Sequence, residues 1–242
     1  ADGSGDQAVS INSVSTSMVS DYNCLLARNG AFIGAYGGNW SSLAEWQAAT
    51  GKDAHSLSVE PLFVDADGAD NTVNNADDDL HLQSTAGSYK AGAFTADAGD
   101  SAGLDEGSPA SGAGAEPSPN GGRINLGAFG GTEHASKTPA GRALRLVGPN
   151  GGESISGGTR TIFWNATGQG WAGGNTVALE YSTDGGGTWQ AISGAGALDY
   201  ALGQYVWNTS GLPSGGYRVR VNYGGGTLTD ASDSIFIIRS PT

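Results

Sequence analysis

The rhythm of apolar positions divides the chain in two. After Val147, short runs follow one another at near-regular spacing: "TRTIFWNA" (159–166), "NTVALEYST" (175–183), "GTWQAIS" (187–193), "GQYVWNT" (203–209), "GYRVRVNY" (216–223) and "DSIFIIR" (233–239). They alternate or are wholly apolar, and they are rich in β-branched and aromatic residues, the pattern of half-buried strands. Between them stand "DGGG", "SGLPSGG" and "YGGG", which supply the positive φ angles of tight turns. Six or seven such strands in about 95 residues predict an antiparallel β-sandwich. Its expected core is Trp164, Leu179, Tyr181, Trp189, Val206, Trp207, Val219, Val221, Phe236 and Ile238.

The first part has another texture. Apolar residues come in brief clusters, "AVSINSV", "DYNCLLA", "AFIGAY", "PLFV", "DLHL" and "INLGAF", with long polar stretches between them. One segment, "SSLAEWQAATG" (41–51), predicts a helix: Ser41 or Ser42 caps it, Glu45 falls in its first turn and Gly51 stops it. Leu43 and Trp46, three apart, share its buried face.

Composition sharpens this picture. The 42 glycines and 20 aromatic residues describe a turn-rich chain with packed cores. A net charge of −13 with only 11 Lys and Arg argues against nucleic acid and anionic membrane as partners. It leaves divalent cations and neutral glycans open. Cys24 is the only cysteine, so no intramolecular disulfide forms, and its apolar neighbours suggest an inert buried thiol. No run reaches the 18 or so apolar residues of a membrane span. The chain starts at Ala1 with no basic-then-apolar leader, the expectation for a processed or excised product.

Two resemblances carry the reading further. "LVGPNGGESISGGTRTIFWNATG", "VALEYSTDGGGTW" and "GQYVWNTSGLPSGGYRVRVNY", in that order, resemble the immunoglobulin-like repeats of bacterial exported proteins. That resemblance implies a non-catalytic spacer or attachment module. The motifs "SDYNCL", "LAEWQAATGKDAHSLSVEPLFVDADG", "DDDLHLQSTAGSY" and "EPSPNGGRINLGAFGGTEHASKT" resemble the C-terminal end of right-handed parallel β-helix, pectate-lyase-like proteins. Where those relatives often read SPxIDAGDP, this chain has "DSAGLDEGSP" (100–109), so the acid expected near Ser108 is absent. The implied fold is all-β: a short terminal β-helix segment with one small helix (1–138), a linker (139–145), then an immunoglobulin-like sandwich (146–242). The tetrapeptide PNGG, at Pro119 and again at Pro149, is then two pieces of punctuation and not a repeat. The first closes the solenoid, and the second opens the sandwich.

Candidate chemistry is sparse. "DADGADNTVNNADDD" (65–79) offers Asp65, Asp67 and Asp70 as oxygen ligands for Ca²⁺. The twelfth position from Asp65 is Ala76, which fails the EF-hand rule, and a turn capped by its own Asp and Asn side chains is the alternative. Trp40, Trp171 and Tyr36 lie in glycine-rich loops where they could stack on a sugar ring or cover a core edge. His55, His81 and His134 are scattered and lack metal spacing. Arg123, in "GGRIN", is expected to pair with Glu116 or Asp105. Asn39, Asn165 and Asn208 open N-x-[ST] triplets, too short a pattern to weigh.

A β-helix this short has room for few coils, each needing a neighbour to cover its apolar face. The relatives' active groove lies on central coils. These points favour a non-enzymatic, secreted or cell-surface structural or adhesive module. It would self-associate through an open β-helix end, or bind an extracellular polymer, with "DQAVSINSVSTSM" (6–18) as a donor strand or as an in-chain first strand. The alternative is the C-terminal piece of a polysaccharide-active β-helix enzyme or a glycan-binding module.

Overall fold

A computed structural model describes residues 4–11, 18–156 and 158–239. The fold is all-β with one small helix. No helix among the described residues is long and apolar enough to cross a membrane.

The first half contains β1 (Gln7–Ser10), β2 (Phe32–Ala35), β3 (Asn39–Trp40), α1 (Leu43–Thr50), β4 (Phe63–Asp65), β5 (Asp79–Leu82), β6 (Ser88–Lys90) and β7 (Ala93–Thr95). β1 lies parallel to β2, and β3 returns antiparallel to it. A single parallel bridge joins Cys24 to Leu57. β4–β5 and β6–β7 are antiparallel pairs. Elsewhere backbone bonds link segments distant in sequence, Leu25 to Leu57, Gln83 to Leu62, Ser101 to Gln83 and Leu126 to Gly103. Of the 6–18 segment, Gln7–Ser10 is an in-chain strand on β2, while residues 12–17 lie outside the described residues.

α1 forms as its local signals require. Ser42 is the N-cap, its hydroxyl accepting from the Glu45 amide at 3.2 Å, and Glu45 Oε2 accepts from the Ser42 amide at 3.1 Å. This reciprocal pair satisfies two of the helix's unpaired N-terminal donors. Gly51, at φ 67°, ends the helix in the left-handed conformation. Trp46 is fully buried against Leu25 and Ile33, with Leu43 packed at the margin.

The second half contains β8 (Arg142–Gly148), β9 (Ser154–Ser156), β10 (Thr159–Gly168), β11 (Thr176–Ser182), β12 (Gln190–Ala191), β13 (Leu198–Asp199), β14 (Gln204–Asn208), β15 (Gly215–Tyr223), β16 (Leu228–Ala231) and β17 (Phe236–Arg239). One sheet has the order β14-β10-β8. The other runs β12-β11-β15-β17-β9, with β13 on β11 and β16 on β15. Alternate side chains from both sheets meet in one core: Ile162 and Trp164 from β10, Val177 and Leu179 from β11, Tyr217, Val219 and Val221 from β15, and Phe236 and Ile238 from β17.

Three expectations change. Val206 is 60% exposed, because its neighbour Trp207 is buried and adjacent strand residues face opposite ways. Trp189 lies outside the strands, half-buried, with the Arg220 guanidinium 4.5 Å from its ring centroid. Residues 142–145, expected in a linker, are the start of β8, paired with β10 from Arg142 to Gly168 onward.

Both PNGG copies contain a cis X–Pro bond, yet they are used differently. In the first, the Gly121 amide donates to Asp105 Oδ1 at 3.2 Å. In the second, the Asn150 and Gly151 amides donate to the Glu153 carboxylate at 2.7 and 2.8 Å, and the Asn150 side chain donates from Nδ2 to Asp233 Oδ2 and accepts at Oδ1 from the Asp233 amide. Gly151 has φ 126°, and a Cβ there would stand 2.1 Å from Ser234 Oγ and 2.9 Å from the Ser234 backbone nitrogen. Gly152, at φ 85°, has open space instead. Gly151→Ala is therefore expected to cost about 2–3 kcal/mol, and Gly152→Ala about 1 kcal/mol from backbone strain alone. Equal shifts of the urea midpoint for the two variants would refute the packing argument.

Candidate functional site

The first half sits on the outer face of the β8–β10 pair. Leu144 and Leu146 point into the sandwich, so Arg145 and Val147 point out; Trp164 points in, so Phe163 and Asn165 point out. Val147 packs with Leu57 and Leu126, and Phe163 joins the edge of that cluster beside Tyr22, Cys24 and Val59. His55 meets the Phe163 ring edge-on at 4.7 Å and stacks on Tyr22 at 4.9 Å. Its Nδ1 lies 2.6 Å from Asp21 Oδ2, and its amide donates to Asp21 Oδ1 at 2.7 Å. Cys24 is half-buried, its Sγ directed at the Val59 carbonyl at 3.3 Å, and burial pushes its thiol pKa up.

Beside this apolar contact lies a polar one. Arg145 and Asn165 are directly paired across β8 and β10. Glu106, 3% exposed, reaches over both: Asn165 Nδ2 donates to Glu106 Oε2, and Arg145 Nε lies 3.5 Å from Oε1. Burial pushes the Glu106 carboxyl up to about 7, against the opposing pull of Arg145, Arg123 and Asn165. Contrary to the expectation from its motif, Arg123 pairs with neither Glu116 nor Asp105. It donates instead to the Gly107 carbonyl from Nε at 3.0 Å and to Asn165 Oδ1 from Nη1 at 2.9 Å. Asp105 accepts from Gly121 and from Thr138 Oγ1 at 2.8 Å; Glu116 accepts from the Asn125 and Gly131 amides, each at 2.8 Å. Desolvation raises the pKa of both acids.

The acidic stretch does not gather into a cation site. Among the described residues no group of three or more His, Cys, Asp or Glu side chains could hold a metal ion. Asp65 is exposed on β4. Asp67 contributes its backbone carbonyl to the Thr72 amide. The Asp70 carboxylate accepts from the Thr72 amide at 2.8 Å and from Asn75 Nδ2, and Asp78 Oδ2 accepts from the Asn74 and Asn75 amides. The Asp70, Asp77 and Asp78 carboxylates cap the loop's own backbone, the behaviour of a polar turn.

The aromatic candidates are likewise occupied and apart. Trp40 and Tyr36 pack on the Trp46 cluster, and Trp40 Nε1 donates to the Tyr36 carbonyl at 3.0 Å. Trp171, in the other half, stacks on Tyr200 at 4.8 Å, meets Tyr223 edge-on at 4.9 Å and donates to the Thr167 carbonyl at 2.7 Å. The structure does not bring Trp40, Tyr36 and Trp171 into one site. Of the three N-x-[ST] asparagines, Asn165 is buried in the junction.

What sequence reasoning missed is the junction itself: Glu106, Arg145 and Asn165. Clefts surround it. One of about 420 Å³ lies between Tyr22, His55 and Arg123 on one side and Tyr200, Leu202 and Gln204 on the other. Another of about 500 Å³ opens over Glu106.

No family model matches the chain, and no curated protein matches it. Among solved structures, an endo-β-1,4-mannanase from Thermotoga petrophila aligns at 13% identity and TM-score 0.26, over 42% of this chain and 20% of that one. An engineered protein aligns at 16% identity and TM-score 0.28, over 44% of this chain and 22% of that one. Likenesses this slight bear on neither fold detail nor function.

Proposed function

We propose that the chain is a non-enzymatic structural or adhesive unit of an extracellular or cell-surface assembly, a β-helix end carrying an immunoglobulin-like sandwich. The supporting observation is the junction. Phe163, Val147, Leu57 and Leu126 form one apolar cluster across the halves, and the bonds of Glu106 and Arg123 to Asn165 bridge it. Two units joined by a flexible linker would leave Phe163 and Asn165 in water. A fixed junction suits a spacer that holds an attachment surface at a set distance. β1 pairs on one side only among the described residues, with β2, so its other edge can add a strand from a second copy. Electron microscopy and size-exclusion over a range of concentrations test this. Ordered filaments, sheets or concentration-dependent oligomers are expected. Strictly monomeric particles would remove the assembly part of the reading.

A second reading, a glycan-binding module or a piece of a polysaccharide-active enzyme, is favoured by the cleft between Tyr22 and Tyr200. It is of a size that small ligands occupy, and it mixes aromatic walls with His55, Arg123 and Gln204. A glycan screen separates the two readings. Specific binding that Tyr200→Ala abolishes selects this one.

A further inference from the structure

The cleft over Glu106 holds four carboxyl groups and two guanidinium groups, and they differ in how well they are partnered. Glu60 pairs with Arg28. Asp100 accepts from the Thr85 amide at 2.7 Å and from its hydroxyl at 2.9 Å. Asp105 is bonded to Gly121 and Thr138, and Glu106 to Asn165. Arg142 is exposed at the rim, held over Trp171 and Tyr223 with centroid distances of 5.5 and 5.1 Å, and has no carboxylate within ion-pair distance among the described residues. Arg145, deeper in the cleft, has its buried Nε turned to Glu106 Oε1 in a loose ion pair at 3.5 Å, too poorly aligned for a hydrogen bond, while its side chain as a whole is 34% exposed.

We propose that this cleft binds a small carboxylate anion, with Arg145 at its floor and Arg142 at its rim. A guanidinium offers five N–H donors in a planar fork that matches a carboxylate, and the loose pair with Glu106 leaves the exposed part of the Arg145 fork for an incoming acid group. The volume, about 500 Å³, is that of small-molecule sites, and clefts at the contact between two structural units are common locations for them. A net charge of −13 repels extended polyanions from the surface as a whole, which restricts the occupant to a small acid held at close range. This goes beyond the structural role proposed above and does not depend on it.

Binding should couple to Glu106. The other charged or titratable groups acting on Glu106 or Arg145 are Arg123, Asp230 and Cys24, and Asp105, which interacts with Arg123, lines the same cleft. When Glu106 is neutral, Arg145 is free for the ligand; when it ionises, it competes with the ligand for the same guanidinium.

Isothermal titration with malonate at pH 6 is the test, with sulfate and neutral malonamide as controls. Saturable malonate binding is expected, stronger than that of sulfate, with no binding of malonamide. Arg142→Gln, a rim substitution that leaves the core untouched, is expected to weaken malonate about tenfold, as loss of one charge-assisted contact does. Arg145→Lys should weaken it at least as much. Affinity should fall from pH 6 to pH 8, and Glu106→Gln should remove that fall. Absence of saturable malonate binding overturns the proposal. So do equal binding of sulfate and an affinity indifferent to both arginine substitutions.

Discussion

Replacing Asp53 with alanine is expected to lower the unfolding free energy by about 3–5 kcal/mol. Asp53 is 1% exposed. Its carboxylate accepts from Trp46 Nε1 at 2.8 Å, Ser56 Oγ at 2.7 Å, Asn23 Nδ2 at 2.8 Å and Ser20 Oγ at 3.0 Å. Its amide donates to the Ser20 carbonyl, and its own carbonyl accepts from Gln47 Nε2 at 2.7 Å. One side chain thus fastens α1 to the segment before β2 and to the turn leading to Leu57. Alanine would leave several buried donors without an acceptor, and would also occupy φ 59°, where asparagine and aspartate are tolerated better than alanine. Asp53→Asn keeps the shape and the backbone preference but exchanges an acceptor for a donor, so about half the loss is expected. Urea unfolding at constant slope measures both. A loss below about 1 kcal/mol for the alanine variant would mean that the site reorganises, and the hub account would fall.

How much of this could be read from the chain follows from the range over which each feature is determined. α1 was legible because its start, its buried Trp46 and its stop at Gly51 are all set within about ten residues of one another. The strands of the second half were legible because the period of two is local as well. That logic failed at Val206 and Trp207, where two large apolar neighbours compete for one inward position on β14, and the indole takes it. It also failed at residues 142–145. Two arginines make "RALR" look like a linker, but Leu144 faces the core while Arg145 faces the first half.

The first half is harder for the same reason. Its segments bond to partners far along the chain, such as Leu25 to Leu57 and Leu126 to Gly103, and no short window contains both members. The junction is the extreme case: Asn165 and Glu106 are 59 positions apart. One signal did point there. Residues 104–109 read LDEGSP where the resembled β-helix pattern has IDAGDP, so Glu106 stands at a small-residue position. A carboxylate in place of a methyl group, beside buried neighbours, requires a partner from elsewhere, and the sandwich supplies it through Asn165 and Arg145. Asp65, Asp67 and Asp70 misled in the opposite way. Density of acids along the chain does not make them converge in space when, as at Asp70 and Asp78, a carboxylate bonds to its own loop.

Glu106 also sets the second large effect expected, a fall in stability as pH rises from mild acid to neutrality. Two effects oppose each other at this carboxyl: the cost of removing a charge from water, and its attraction to Arg145 and Arg123. At 3.5 Å from Arg145 Nε the ion pair is loose, and desolvation outweighs the attraction, so the folded-state pKa lies at about 7 against 4.5 for the ordinary carboxyl. Folding then favours the protonated form. The stabilisation is fully present below pH 4.5, declines as pH rises through the interval up to about 7, and is gone above it. The full change is on the order of 3 kcal/mol at about 1.4 kcal/mol per unit. Asp105, Glu116 and Asp230, each raised by burial, add to it with the same sign, whereas Asp21 and Asp97, held below their ordinary values, act only in stronger acid. Glu106→Gln is neutral at every pH, so the stability of the variant relative to the parent should rise by about 2–3 kcal/mol between pH 5 and pH 8. Urea unfolding at several pH values across that range measures the difference directly. A difference that stays flat would mean that Glu106 is ionised throughout and that Arg145 and Arg123 outweigh its burial. The junction would then be a buried ion pair, and removing the carboxylate would destabilise the contact between the halves at all pH values.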